Sequence, residues 1–324
     1  MLKKQVGILF FILAVAGCSA PTVLSPTSTM ILEQVDIPPT LTPEVVLANT
    51  DTPLPAATST PTPTATSTQI PATPQTSISK PDAIIARVDG GVNSFLLVGG
   101  SQNGSWVRAA DMVDVIAAET KYQLYTPFEI ENHVTGQEVL FARLCDQHFI
   151  TIDPPFNSKS AVGVSGEWDV MPRTPLELST DAEVYLRAVT AWQIEQAPSQ
   201  PIPAIDKIWL VDVEGNGTDE VFINGSRYAE PTGHNVEPRD YSVVLMRTVI
   251  GSEVVTIELV GDYYSEAVLN QFPLTYNLEF IGDLNGDGKM EVVVGISRWE
   301  GTGVMVFEIE GEDVQLVLSA ICPQ

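Results

Sequence analysis

The pattern of apolar and polar positions predicts β-strands throughout the C-terminal part of the chain. Short runs in which Val, Ile and Tyr alternate with polar residues suit a pleated, half-buried surface, and glycine- or proline-containing breaks separate them. The first set of runs covers 208–212, 220–225, 241–249 and 253–260. A second set covers 276–282, 291–297, 303–309 and 313–320. Two sets of runs in the same order predict an internal repeat within 208–324.

The preceding part, 81–207, predicts a β-rich half with less regular strands and one helix. Its apolar runs lie at 94–100, 104–109, 121–126 and 148–153. The helix is predicted near 181–196, where Thr180 and Glu183 fit a capping box. An apolar stripe on one face consists of Tyr185, Val189 and Trp192. We expect this helix to link the β-rich half to the repeats.

Residues 1–18 have the layout of a secretory signal peptide. Two lysines precede an apolar run of about a dozen residues, which is too short to span a bilayer comfortably. The residues Val15-Ala16-Gly17-Cys18 resemble the lipobox of bacterial lipoproteins. This resemblance implies cleavage before Cys18, a diacylglycerol anchor on its thiol and an extracytoplasmic protein at the cell surface. An ordinary signal peptide with a chance cysteine is the alternative.

Residues 19–80 are predicted to form a disordered tether. Of these 62 residues, 11 are Pro, 15 are Thr and 7 are Ser. Proline interrupts helices and sheet ladders, and the few large apolar side chains cannot offset the entropy of ordering the chain. Such a spacer would hold the remaining domain away from the membrane surface.

The remaining part, 81–324, is strongly acidic. It contains 37 Asp and Glu residues and 13 Lys and Arg residues, which gives a net charge near −24. Such a surface repels nucleic-acid phosphates and favours cations, so no nucleic-acid partner is expected. Two cysteines remain, Cys145 and Cys322. In an extracytoplasmic compartment they form either a disulfide or two buried free thiols.

The strongest chemical pattern is a nine-residue loop that occurs once in each repeat. Oxygen-bearing side chains stand at positions 1, 3, 5 and 9, position 6 is glycine, and position 7 can offer its backbone carbonyl. Calcium prefers six to eight oxygen ligands, and the glycine permits the sharp turn that makes them converge. The first loop supplies Asp212, Glu214, Asn216, Thr218 and Glu220. The second loop supplies Asp283, Asn285, Asp287, Lys289 and Glu291.

Position 12 distinguishes these loops from EF-hands, which have a glutamate there and then a helix. Here position 12 is Ile223 or Val294, inside a predicted strand. The loops and their strands, over 208–320, resemble the FG-GAP repeat of integrin α-subunit propellers and the related bacterial VCBS repeat. The resemblance implies an all-β, propeller-like fold of about four or five four-stranded units with structural calcium sites. Two such units joined to a separate β domain fit the sequence nearly as well.

A plain hairpin turn is the alternative interpretation of each loop, because Asn-Gly and Asp-Gly are common turn pairs. A turn, however, does not require Asp283 and Glu291 at its edges. Without a cation, the carboxylates of one loop would repel each other. The pattern therefore favours calcium over a bare turn.

Motifs typical of enzymes are incomplete in this sequence. The stretch 163–167 lacks the second glycine of a nucleophile elbow, and Cys145 and His148 have no second ligand pair nearby in sequence. We expect no enzyme, but a protein that binds or adheres to protein or glycan; this step rests on analogy of fold. A secreted polysaccharide hydrolase or its accessory domain is the alternative. A third interpretation is a wall-associated protein whose repeats have only a stabilising role.

Two groups of aromatic and acidic residues could stack on sugars at a loop surface. They are Asp262-Tyr263-Tyr264 and Trp299-Glu300. Ordinary packing at the edge of a sheet is the alternative for both.

Overall fold

The computed structural model describes residues 80–86, 94–156, 162–197, 200–229, 235–298 and 301–321. The predicted signal peptide, Cys18 and all but the last residue of the predicted tether lie outside these ranges. The described part is mostly β, which confirms the all-β prediction. None of its helices is long and apolar enough to cross a membrane.

The N-terminal strands close into a six-stranded barrel, in the order β1-β7-β4-β5-β6-β2 and back to β1, with β3 added on β2. Alternation of side chains sets its two surfaces: Ile85 and Leu97 point into the barrel, whereas Ile84 and Leu96 point outward. The strands are β1 Asp82–Ala86, β2 Ser94–Gln102, β3 Ser105–Arg108, β4 Lys121–Tyr125, β5 Ile130–Ala142, β6 Gln147–Asp153 and β7 Val162–Val164. A short helix that the sequence did not predict, α1 Ala109–Met112, adds Met112 to the barrel core.

A five-stranded antiparallel sheet follows, in the order β13-β12-β10-β9-β8. Helix α2 covers one face of this sheet, with Val189 and Trp192 against Ile223 and Val243. The elements are β8 Leu176–Leu178, α2 Glu183–Gln196, β9 Lys207–Val211, β10 Glu220–Arg227, β11 Asn235–Val236, β12 Tyr241–Ile250, β13 Glu253–Tyr263 and β14 Val268–Leu269. Strands β11 and β14 form a separate two-stranded sheet.

The last sheet is a four-stranded antiparallel meander, β15-β16-β17-β18. Its strands are β15 Thr275–Gly282, β16 Glu291–Arg298, β17 Gly301–Glu310 and β18 Asp313–Ile321. They match the second predicted set, and β9, β10, β12 and β13 match the first. The prediction of eight strands in two sets is therefore confirmed.

The described part is layered as barrel, four-stranded sheet, five-stranded sheet and helix. The outer face of the barrel packs on one face of the β15–β18 sheet, and the other face of that sheet packs on the β8–β13 sheet. The valine run of β16 reflects this position, because Val293 faces the barrel while Val292 and Val294 face the other sheet. A strand buried on both faces needs apolar residues throughout.

The free edge of β15 is covered by polar side chains of the neighbouring sheet. The buried Asn224 side chain donates to the Tyr276 carbonyl at 2.9 Å and accepts from the Leu278 amide at 3.0 Å. The Ser242 hydroxyl accepts from the Tyr276 amide at 2.9 Å. These bonds satisfy backbone groups that an edge strand otherwise exposes. They also fix the register of one sheet against the other.

Two finer predictions differ from the structure. Ala182 occupies the N-cap of α2 and no side chain caps the helix, so the capping box at Thr180 and Glu183 is wrong. The apolar stripe is confirmed, since Val189 and Trp192 are buried and Tyr185 packs with them. The strands of 82–164 form a barrel, and a ring of four or five four-stranded units is not confirmed.

Candidate metal-binding loops

The two acidic loops occupy equivalent places in the two sheets. The first connects β9 to β10, and the second connects β15 to β16. In each case the flanking strands are antiparallel neighbours and form the first hairpin of a four-stranded meander. The two sheets therefore share both the strand order of the meander and the position of the loop.

The aspartate at position 1 organises both loops in the same way. Asp212 accepts hydrogen bonds from the amides of Gly215 and Gly217, both at 2.7 Å. Asp283 accepts from the corresponding amides of Gly286 at 2.6 Å and Gly288 at 2.9 Å. Each loop thus folds around its first carboxylate.

Position 5 accepts from the amide of position 7 in both loops. The Asn216 side chain accepts from the Thr218 amide at 2.8 Å, and Asp287 accepts from the Lys289 amide at 2.8 Å. The Asn285 side chain, at position 3, also accepts from the Asp287 amide at 2.9 Å. These bonds orient the side chains of alternate residues within a tight turn.

The glutamate at position 9 closes each loop on its beginning. Glu220 accepts from the Val213 amide at 3.0 Å, and Glu291 accepts from the Leu284 amide at 2.7 Å. Glu220 also accepts from the Thr248 hydroxyl at 3.1 Å. Position 9 therefore joins the end of the loop to position 2 through a side chain.

Glycine at position 4 is a shared feature that the sequence reading missed. Gly215 and Gly286 have φ values of 72° and 82°, and Gly217 and Gly288, at the expected position 6, have 86° and 88°. Both positions lie in the region that favours glycine. The repeated Gly-x-Gly spacing was visible in the sequence and could have identified position 4.

The second loop buries two of its carboxylates deeply, whereas Asp287 is exposed. Asp283 is 3% exposed and Glu291 is 1% exposed. The pKa of Glu291 is raised to about 9, chiefly by burial and also by the charges of Asp287 and Asp283, against the hydrogen bond from Leu284. Burial also raises the pKa of Asp283. In the described part of the chain, no Lys, Arg or His forms an ion pair with either carboxylate.

The first loop is less buried, and one of its ligand-type side chains is engaged elsewhere. Glu220 is buried, and burial raises its pKa, but Asp212 is only half-buried and Asn216 is exposed. Glu214 reaches the turn between β17 and β18, where it accepts from the Gly311 amide at 3.0 Å. The longer side chain at position 3 thus connects the two sheets.

Lys289 of the second loop contacts the same turn. Its ammonium group pairs with Glu310 at 3.2 Å, and this hydrogen bond raises the pKa of Lys289. The β17–β18 turn therefore lies between the two loops and contacts both. Sequence reasoning assigned only a backbone role to position 7.

The donor set fits calcium in chemistry, but the side chains are not gathered around a point. No group of three or more His, Cys, Asp or Glu side chains among the described residues is placed to hold a metal. The loop carboxylates instead bond to amides of their own loop. An ionised carboxylate has about four lone-pair sites, so these bonds leave acceptor capacity for a cation.

The cysteines are described only in part. Cys145 is disulfide-bonded, whereas Cys322 lies outside the described residues. The Gln147 side chain donates to the Ile321 carbonyl at 3.3 Å, which brings the end of β18 beside the turn that contains Cys145.

The aromatic and acidic group at 262–264 is partly packed. Tyr263 lies edge-on to Trp192 of α2, with ring centroids 6.1 Å apart. Asp262 accepts from the Tyr276 hydroxyl at 3.0 Å. These contacts agree with the packing interpretation, and Trp299 and Glu300 lie outside the described residues.

Two cavities of the described part lie away from the loops. One of about 300 Å³ is lined by Arg108, His148 and Ser319, with Asp146 as its carboxylate. The other, about 270 Å³, lies at the β5–β6 side of the barrel and has Glu138 as its carboxylate. A glycosidase needs two carboxyl groups on opposite sides of the bond that it cleaves. Neither lining provides such a pair.

The fold and the loops define a layered, mostly β protein in which two four-stranded meanders each carry an acidic loop at the same place. No protein-family model, curated protein or solved structure matches the chain.

Proposed function

We propose that this protein is a lipid-anchored, cell-surface binding or adhesion protein whose two loops bind calcium as structural clamps. In this proposal the two meanders are FG-GAP or VCBS-type repeats, Cys18 carries the lipid, and the Pro/Thr/Ser-rich segment is a spacer. The folded part binds a protein or glycan ligand without turnover. The lipid and the spacer rest on the resemblance and composition of the N-terminal sequence.

The observation that carries the calcium proposal is the burial of carboxylates that lack a cationic partner. Asp283 and Glu291 are almost fully buried in the same loop, and no ion pair among the described residues balances them. Burying an unpaired charge is costly, so such groups either hold a proton or face a cation. Calcium suits this site because it accepts carboxylate, amide and carbonyl oxygens in a flexible geometry.

Repetition of the loop supports the same conclusion. A turn that only reverses the chain needs glycine and a short polar residue, whereas both loops also place a carboxylate at position 1 and a buried glutamate at position 9. When calcium is bound, it supplies a positive charge that joins the start of the loop to the first residue of the next strand. The clamp holds β9 against β10 and β15 against β16.

Thermal unfolding with and without calcium tests the metal site. At 10 mM calcium and a Kd on the order of 10⁻⁴–10⁻³ M, each occupied loop should raise the Tm by about 3–10 °C. The double variant Asp283→Ala/Asp287→Ala should lose the contribution of the second loop. Glu129→Ala/Glu131→Ala removes two exposed carboxylates outside the loops and is the matched control. A wild-type Tm that calcium leaves unchanged would contradict the proposal.

Ligand binding needs a separate test. A glycan array and a panel of surface proteins, probed with the calcium-loaded protein, should give saturable binding without product release. Release of reducing sugars from any polysaccharide would overturn the non-enzymatic part of the proposal. It would leave the calcium part intact.

A further inference from the structure

One connecting segment contacts the second loop at three points. The segment, residues 165–175, runs from β7 of the barrel to β8 of the next sheet. Its Val170 carbonyl accepts from the Asp283 amide at 2.9 Å, and its Trp168 indole donates to the Asp283 carbonyl at 2.8 Å. The Trp168 ring lies so close to Gly286 that an added Cβ would meet it at 3.1 Å.

Arg173, in the same segment, bridges the two loops. Its Nη2 donates to the Gly288 carbonyl of the second loop at 2.9 Å and to the Val213 carbonyl of the first loop at 3.2 Å. The Met290 amide of the second loop also donates to Val213, at 2.8 Å. The Val213 carbonyl, at position 2 of the first loop, is therefore linked to position 6 of the second loop through Arg173 and to position 8 directly.

The arginine binds the backbone of the loops and none of their carboxylates. Its hydrogen bonds to the two loops both go to carbonyl oxygens, and its buried Nε has no hydrogen-bond partner among the described residues. A guanidinium is rigid and planar, so its geometry transmits a shift of one carbonyl to the other. Gly215 leaves room for this guanidinium, because an added Cβ there would lie 3.0 Å from Nη1.

We infer that Arg173 couples the two loops, so that a cation bound in either loop increases the affinity of the other. The inference rests on the proposed function, since it assigns a regulation to the same two sites. A cation in the second loop fixes the backbone around Gly288, and this fixes Arg173 and the Val213 peptide. The first loop is then partly ordered before its own cation arrives, which lowers the entropic cost of binding. Coupling of this kind is reciprocal and typically amounts to about 5–150-fold in affinity.

A double-mutant cycle on the full chain tests the coupling. Terbium replaces calcium as the probe, because Trp168 beside Gly286 can sensitise its luminescence and report on the second loop. The four proteins are wild type, Asp212→Asn, Arg173→Met and the double variant. Asp212→Asn disables the first loop and should weaken terbium binding at the second by about 5-fold or more when Arg173 is present. With Met at position 173 the same change should have an effect below about 2-fold.

Arg247→Met is the matched control. Arg247 also has a buried, unpartnered Nε, but its guanidinium lies over the Tyr185 ring of α2, on the helix side of the sheet. The effect of Asp212→Asn should persist in that background. If Asp212→Asn weakens terbium binding equally with and without Arg173, or in neither background, the inference is overturned.

The outcomes separate this inference from the proposed function. If neither terbium nor calcium binds the wild-type protein, the calcium proposal itself fails. If both loops bind but independently, only the coupling fails. If Arg173→Met does not fold, calorimetry with calcium on Asp212→Asn and Asp283→Asn provides the second test. Each variant should weaken the remaining site by the same factor, and unequal or absent effects would overturn the coupling.

Discussion

The first and second loops share most of their hydrogen bonds at equivalent positions but differ in their surroundings. In both, the aspartate at position 1 accepts from positions 4 and 6, and the glutamate at position 9 accepts from position 2. The second loop is covered by Trp168 and the connecting segment, whereas the first is more open and sends Glu214 to the neighbouring sheet. Local sequence thus determines the conformation of the loop, while its place between layers determines how deeply its charges are buried.

The largest expected difference between the loops concerns pH dependence in the absence of calcium. The pKa of Glu291 is about 9 in the folded protein, so the folded state retains a proton that the unfolded state releases above its ordinary value of 4.5. The folded protein binds more protons than the unfolded one in this range, and stability must therefore fall as the pH rises from about 5 towards 9. Between pH 5 and 8 the loss should be about 2–4 kcal/mol.

Urea unfolding in EDTA measures this loss. Glu291→Gln mimics the protonated acid and should flatten the dependence, whereas Glu220→Gln should change it less, because Glu220 accepts a second hydrogen bond from Thr248. Saturating calcium should also flatten it in the wild-type protein, since the cation replaces the proton. Identical pH profiles for wild type and Glu291→Gln in EDTA would show that the burial of this carboxylate has no energetic consequence.

The contrast between the loops also indicates what the sequence could predict. The eight strands and the ligand spacing follow from local patterns, which survive in any tertiary context. The barrel was missed because its closure depends on strands that are distant in sequence, such as β1 pairing with β7, and β7, Val162–Val164, is too short to show a period. Trp168 and Arg173 gave no signal, since their role depends on contacts with Asp283 and Gly288, more than a hundred residues later in the chain.

A loss of stability of intermediate size is expected at position 6, where the glycines of the two loops should respond alike to substitution. Gly217 and Gly288 have φ values of 86° and 88°, and an added Cβ would meet no atom within 4 Å at either position. Replacing either with alanine should cost about 1–2 kcal/mol, from backbone strain alone. The two costs, measured by urea unfolding in EDTA, should agree within about 0.5 kcal/mol.

A third glycine separates backbone strain from calcium binding. Gly251, in the β12–β13 turn, has a φ of 65° and the same free space. Gly251→Ala should lower the Tm but preserve the full shift produced by calcium. Gly217→Ala and Gly288→Ala should reduce the rise in Tm that calcium produces, because backbone strain opposes the turn that calcium binding requires. A much larger cost at Gly288 than at Gly217 would mean that the loops do not share one backbone conformation.

The smallest expected effect concerns position 3, where Glu214 of the first loop is longer than Asn285 of the second. Glu214→Asp shortens the side chain that accepts from Gly311, so the contact between the sheets should be lost at a cost of about 0.5–1.5 kcal/mol without calcium. The shorter carboxylate stays within its own loop, as Asn285 does at the same position. Calcium affinity of the first loop should therefore rise while stability in EDTA falls. Calorimetry in an Asp283→Asn background isolates calcium binding by the first loop. If Glu214→Asp lowers both the calcium affinity of that loop and the stability in EDTA, Glu214 is itself a ligand in its extended form.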